Sequence, residues 1–558
     1  MSFFDEGLDN PNLHEEIQRV IKEIIASRIV RKDKNSVETF LSPSYSQIAN
    51  TYKCFVGIDD VISRIHRSIE NNERITIHGD FDADGLTATA IMTEYLKSVN
   101  YTNYSVYIPD RLTTGHGITV DTVERLASEN TKLIITVDCG VDAIEPVNKA
   151  VELDVDVIIT DHHIAGDVLP NCLILVPPDA LATPFSGAGI AFKLVQGLCG
   201  NGLDDNEFRS KLLQLAMLGT IVDSVPQVGE NRTISKLGFD AVADNAFIGL
   251  SSIMTQNNLD IVRSEDITYT IAPRLSAASR LGEPLTAYKL LVTDDAVEAF
   301  HLQKKLTELN NTRKQLVKDL LAEIEVDTSK PAVTVIVDNK ARGVTGLLAS
   351  RLAEKYEKPA FVCAHGLDEY LHCSARSGGY CDLEQAFNFV RPVIESGGGH
   401  KHAGGAVLTE ENYPDFRMKL NTFMNKFNKD DEPRRGVVKS IALKLSVVGK
   451  ELLDEIRKFE PYGPSGLPVF HSFVVADNAR LIGKTKDHLE MKVCCIDSKR
   501  EIRAIGWNMA KLIYDITSRN PLNPFEIKYT IAENNFRKKI SYELHLLEID
   551  FHGTEIPF

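Results

Sequence analysis

The chain has 558 residues, 43% of them hydrophobic and 25% charged, too long for one hydrophobic core and consistent with about three or four soluble domains. No apolar run approaches a membrane span, the start M-S-F-F-D-E-G-L-D-N lacks a basic and apolar leader, and nine cysteines without a C-x-x-C spacing suit reduced thiols, so a cytoplasmic location with no membrane partner is expected. A net charge of −16 excludes a globally basic nucleic-acid binder and leaves that role to local basic patches.

Residues 1–66 read as mostly helical and carry no evident chemistry. From 75 to about 225, short apolar runs at 75–77, 104–108, 133–137, 155–160 and 172–176 alternate with helical stretches at 86–98, 119–129 and 141–153. This alternation predicts βαβ units and a mostly parallel sheet. Three of the runs end in acids and imidazoles. I-T-I-H-G-D-F-D-A-D-G (75–85) carries His78, Asp80, Asp82 and Asp84; I-I-T-V-D-C-G (134–140) carries Asp138; V-I-I-T-D-H-H (157–163) carries Asp161, His162 and His163. Open α/β sheets bind ligands beyond the carboxyl ends of their strands, so these side chains would converge on one crevice. A helical stretch at 207–222 adds Asp223 at its end.

Residues 285–325 form a helix-favouring stretch with Lys304, Lys305, Arg313, Lys314 and Lys318, read chiefly as a solvated connecting helix, with a basic rail as the sharper alternative. A second α/β unit follows, with strands at 333–338, 360–364 and 370–374 and helices at 344–356 and 382–393. It contains H-C-S-A-R-S-G-G (372–379) and S-G-G-G-H-K-H-A-G-G (396–405). The glycine run would either supply backbone N–H groups to a phosphate, with His400 and Lys401, or make a tight turn. Ser374, Arg376 and Ser377 offer an anion pocket, although Arg376 would serve equally in a surface ion pair. Beyond the polar linker 428–436, alternating segments at 469–475, 488–496, 501–507 and 526–532 suggest a small β-barrel.

Oxygen and imidazole donors without cysteine favour Mn²⁺ or Mg²⁺ over structural zinc. Two such ions are the usual means of hydrolysing a phosphoester. A single structural cation, or simple helix capping by Asp84, is the plainer alternative.

Asp161-His162-His163 carries the signature of the DHH phosphoesterase superfamily, and H-G-D-F-D-A-D-G, V-D-C-G, D-H-H and G-T-I-V-D resemble its four motifs in order. G-G-G-H resembles the motif of the associated DHHA1 domain. I-P-D-R-L-T-T-G-H-G (108–117), G-A-G-I-A-F-K-L (187–194), A-P-R-L-S-A-A-S-R-L-G (272–282) and F-E-P-Y-G-P (459–464) narrow the resemblance to the RecJ family of single-strand-specific 5′→3′ exonucleases. Ser276 and Ser279 depart from the usual Asn and Gly, and His402-Ala403-Gly404-Gly405 departs from the usual end of the glycine motif.

The resemblance implies a parallel-sheet DHH domain (67–270) after the N-terminal region (1–66), a linker with a long connecting helix (271–330), a smaller α/β DHHA1 domain (331–430) and an OB-like barrel (436–558). It implies His78 and Asp82 on one Mn²⁺, Asp84, His162 and Asp223 on another, Asp138 bridging, and Asp80 as a ligand or near-ligand, with Mg²⁺ as a substitute. Asp161 would orient a histidine and His163 would contact the scissile phosphate. Arg111, Ser374, Arg376 and His400 would hold phosphates, Arg280 would touch the strand, and Phe536, Arg537, Lys538 and Lys539 of the barrel would either add stacking and basic contacts or form an exposed β-turn. The implied activity is hydrolysis of single-stranded DNA from its 5′ end to mononucleotides in repair and recombination, with a single-strand-binding protein and a helicase as partners. The alternatives are a phosphodiesterase for short oligoribonucleotides or cyclic dinucleotides, and a scaffold without catalysis.

Overall fold

The computed structural model describes residues 11–29, 33–113, 116–166, 168–175, 177, 184–200, 203, 205–366, 368–426, 439–495, 500–520, 523–536 and 539–551. They divide into two compact units, one spanning 43 to 426 and the other joining 11–42 to the residues from 439 onward.

The first unit begins with a parallel sheet of β1 (Ile75–Gly79), β2 (Tyr104–Tyr107), β3 (Leu133–Val137), β4 (Asp156–Thr160) and β5 (Leu173–Leu175), ordered β2-β1-β3-β4-β5. β1 and β3 are buried at every position, which is why they read as unbroken apolar runs. The helix Ala83–Ser98 is buried from Ala83 to Leu96 because Gly187–Leu198 and Asn206–Val222 pack against it, so its sequence lacks an amphipathic stripe.

The helix-favouring stretch after Pro284 is two helices rather than one: Pro284–Val292 and Ala296–Glu323. Asp295 breaks it by capping the second, accepting hydrogen bonds from Val297 N at 2.7 Å and Glu298 N at 3.0 Å. Lys304, Lys305, Lys314 and Lys318 face outward on the 28-residue helix, and Lys305 pairs with Glu283 at 2.9 Å.

A second sheet comprises β6 (Val333–Val337), β7 (Ala360–His365), β8 (Tyr370–Arg376), β9 (Ser396–His400) and β10 (Ala403–Thr409), ordered β6-β7-β8-β10-β9, with only β6 and β7 parallel. The glycine-rich segment is thus a hairpin across two strands, as the tight-turn alternative has it. Its glycines allow close strand approach: a Cβ on Gly399 would lie 2.4 Å from Ala403 O.

In the other unit, β11 (Ile441–Ala442) flanks β12 (Phe470–Ile482), β13 (His488–Cys495), β14 (Glu501–Gly506), β15 (Phe525–Phe536) and β16 (Lys539–Asp550). The order β12-β13-β14-β16-β15 closes on itself through a β12–β15 pairing. β16 was not anticipated from its sequence. Ile17, Val20, Ile21 and Ile24 of the helix Pro11–Arg28 enter the core of this unit, whereas Ile58, Val61 and Ile65 of Ile58–Glu70 enter the core of the first. Arg537 and Lys538, and the side chains of Phe536 and Lys539, lie outside the described residues. Among the described residues no helix is long and apolar enough to cross a membrane, and Cys54, Cys139, Cys172, Cys199, Cys363, Cys373 and Cys381 are free.

Candidate metal centre and phosphate site

β1 lies between β2 and β3, so successive connections leave it toward opposite sides and a crevice opens at the carboxyl ends of the strands. β1 carries His78 next to its last residue, the turn beyond it presents Asp80 and Asp82, and the first turn of Ala83–Ser98 presents Asp84; β3 leads to Asp138, and β4 to Asp161, His162 and His163. Asp223 caps the carboxyl end of Asn206–Val222, where the helix dipole disfavours a carboxylate. Ligand atoms lie within 4.8 Å of one another in three sets: Asp80, Asp82 and Asp138; Asp84, His162 and Asp223; and Asp138, His162 and His163. Asp138 and His162 each belong to two sets. His78 is in none, but its Nε2 is buried without a hydrogen-bond partner, while Cys139 Sγ lies 3.6 Å from its Nδ1.

The surrounding backbone holds these groups in place. Asp82, not Asp84, caps the helix, accepting from Asp84 N at 2.9 Å and Gly85 N at 3.0 Å. Asp84 reaches instead to the start of Gly187–Leu198, accepting from Gly187 N at 2.6 Å and Ala188 N at 3.0 Å. Asp138 adopts a left-handed φ of 62° that aspartate tolerates better than most residues. A Cβ on Gly187 would lie 2.4 Å from that of Asp138, and one on Gly219 would lie 2.3 Å from Asp84 Oδ1. Asp161 accepts from Val141 N at 3.0 Å and pairs with His163 Nδ1 at 2.7 Å. His116, which residue-type reasoning left without a role, pairs with Asp80 at 2.9 Å beside His163. Its lone position in a glycine-rich loop carried no metal-ligand spacing.

Electrostatics mark the crevice as short of positive charge. Burial, then Asp82, raises the Asp84 carboxyl to about 7; burial, then Asp84, raises Asp223 to about 7. Burial and neighbouring carboxylates raise Asp82 and, well above the usual range, Asp138. Desolvation lowers His78 to about 4, keeping it neutral and able to ligate. Burial opposes the Asp161 charge, but His163 and backbone N–H groups outweigh it and hold that carboxyl low. His163 is correspondingly raised to about 9, chiefly by its hydrogen bond to Asp161. The oxygen and imidazole donors, the mutual repulsion and the orphaned His78 Nε2 fit hard divalent cations.

Arginines gather beside the crevice. Arg111 stacks over Phe81 at 5.0 Å, and Arg280 donates to Gly343 O at 3.1 Å. Burial, then Arg111, Arg313 and Arg376, depresses Arg280 to about 9. Ser374 hydrogen-bonds Thr345 at 2.9 Å. The register aligns Arg376, Ala403 and His400 in one row across β8, β10 and β9, so His400 shares a sheet face with Arg376 but lies two strands away, exposed. The departure at Ser279 also has a structural explanation: its buried hydroxyl donates to Phe81 O, tying the Ala272–Arg280 helix to the acidic turn. Nothing in the structure explains Ser276.

Residues 74–220 match the DHH family N-terminal domain, 329–426 the DHHA1 domain and 440–548 the RecJ OB domain. The single-stranded-DNA-specific exonuclease RecJ of Bacillus subtilis is 32% identical over 93% of this chain and 67% of its own length. RecJ of Thermus thermophilus is 30% identical over 88% of this chain and 71% of its own length. Crystal structures of Thermus thermophilus RecJ in complex with Mn²⁺ and with Mg²⁺ superpose with TM-scores of 0.78 and 0.73 at 26% identity, over 97% of this chain and 78% and 77% of theirs. The four motifs, the crevice they build and these similarities together show that the chain belongs to the RecJ family of single-stranded-DNA-specific exonucleases.

Proposed function

We propose that this protein hydrolyses single-stranded DNA from its 5′ end to mononucleotides, using two divalent cations, Mn²⁺ or Mg²⁺. The observation that carries this reading is the set of three ligand clusters linked through Asp138 and His162, beside arginines that form no ion pair among the described residues. His78, Asp80 and Asp82 would hold one ion, Asp84, His162 and Asp223 the other, with Asp138 between them. Bound cations would supply Lewis acidity toward a phosphoryl oxygen and activate water near neutral pH.

The chain's own residues do the rest. Neutral His78 and His162 present lone pairs, and Asp161 fixes His163 as a protonated donor for a phosphate oxygen. Arg111, Arg376 and Ser374 would take the terminal phosphate, Arg280 the next stretch of backbone, and His400 would close the outer edge. A cytoplasmic supply of single strands, opened by a helicase and coated by a single-strand-binding protein, suits such an activity.

The test is digestion of a long 3′-labelled single strand with Mn²⁺, compared with the same strand blocked at its 5′ end. Progressive shortening that the block abolishes is the expected result. Indifference to the block would refute the polarity, and failure to cut long strands would refute the nuclease reading.

A further inference from the structure

The inner stripe of Ala296–Glu323 runs Gln303, Leu306, Asn310, Arg313, Val317 and Leu320, spaced three and four residues apart on one helical face. Arg313 is the only charged member. Its Nε is buried without a hydrogen-bond partner, as is Oδ1 of Asn310 one turn earlier and Nε of Arg280 on the adjacent Ala272–Arg280 helix. Among the described residues Arg313 forms no ion pair, and the cations facing it are Arg280 and Arg351, not acids. Arg313 is half-buried, and the cost of its desolvated, unpartnered Nε and of its cationic neighbours falls on the empty protein. Such an arrangement is expected where a polyanion supplies the missing partners.

We propose that Arg313, with Asn310, forms a further phosphate subsite that grips the single strand beyond Arg280, on the side away from Arg111 and Arg376. The ligand class is a phosphodiester backbone, recognised through the Arg313 guanidinium, with Asn310 Oδ1 accepting from a base N–H. The inference rests on the nuclease reading above and adds to it a named contact on the long helix.

The experiment compares Arg313→Leu with its parent in an Asp138→Ala background, so that the strand survives. Affinity for a fluorescent single-stranded oligonucleotide is measured across a salt series, alongside thermal unfolding without DNA. The substitution should weaken binding about tenfold and reduce the salt slope by about 0.7, while leaving the melting temperature equal or higher. A structural arginine would do the opposite, so a lowered melting temperature would overturn the proposal. Unchanged affinity and slope, with the parent binding normally, would overturn this inference alone. A parent that binds no single strand would overturn the functional reading and this inference with it.

Discussion

Replacing Asp84 by Asn should stabilise the metal-free protein at pH 8 and destabilise it at pH 4. Asp84 is 2% exposed, and its carboxyl is raised from 3.8 to about 7, by burial first and Asp82 second. The folded protein therefore binds this proton more tightly than the unfolded chain. The stability contributed is complete below about pH 4 and is lost as pH rises through about 7. At about 1.4 kcal/mol per pH unit, the loss is about 4 kcal/mol by pH 8. An Asn escapes that loss but can accept from only one of the Gly187 and Ala188 N–H groups, a cost of about 1 kcal/mol at every pH. The variant should thus be less stable by about 1 kcal/mol at pH 4, cross its parent near roughly pH 5, and lead by about 3 kcal/mol at pH 8. Urea unfolding of chelator-treated protein across this range measures the difference directly. With saturating Mn²⁺ the lead should vanish, because cation binding stabilises only the chain that can bind it. A pH-independent difference, or a variant weaker than its parent at pH 8 without metal, would refute the reasoning.

Two further predictions concern the neighbouring groups. Gly187→Ala would place a Cβ 2.4 Å from that of Asp138, so either the Gly187–Leu198 helix or the aspartate must shift. The expected cost is about 1–3 kcal/mol together with weaker Mn²⁺ binding by calorimetry; unchanged affinity would mean that Asp138 does not depend on this contact. Asp161→Asn removes the charge that raises His163 to about 9, so the imidazolium should lose its proton at lower pH. The alkaline limb of the rate profile should move from about 9 toward the ordinary histidine value of about 6.5, and a limb that stays in place would remove His163 as its source.

Much of this architecture was legible because it rests on local patterns. The runs around Ile77, Ile135 and Ile158 are strands buried on both faces, and their acidic ends follow from parallel topology. The break at Asp295 was harder, since Thr293 and Asp294 interrupt an otherwise continuous helical composition without Gly or Pro. The 396–405 segment stayed ambiguous between a phosphate site and a turn for a different reason: its glycines serve strand approach, a demand that only the partner strand reveals. The glycines at 187 and 219 could be read as motif members, but their proximity to Asp138 and Asp84 depends on helices far apart in sequence. Arg313 looked like one of several lysine and arginine charges on a solvated helix until the packing showed which face was covered.

That last point resolves the conflict between an acidic chain and a polyanionic substrate. Asp80, Asp82, Asp84, Asp138, Asp161 and Asp223 all belong to one crevice, so their charge counts against nucleic-acid binding only when the crevice holds no cation. Cations bound there would reverse the local field toward an approaching phosphate. Arg111, Arg280, Arg313 and Arg376 lie beside it, and Arg280 feels the charge of each of the other three. Few phosphate contacts, each desolvated, make binding depend on geometry more than on net charge. A strand held by a few such contacts would lose affinity less steeply with salt than one held along a long lysine rail, because the slope scales with the number of phosphates neutralised. The sign of the whole chain is therefore a poor guide to its partner; the informative charges are those the fold has left without an opposite.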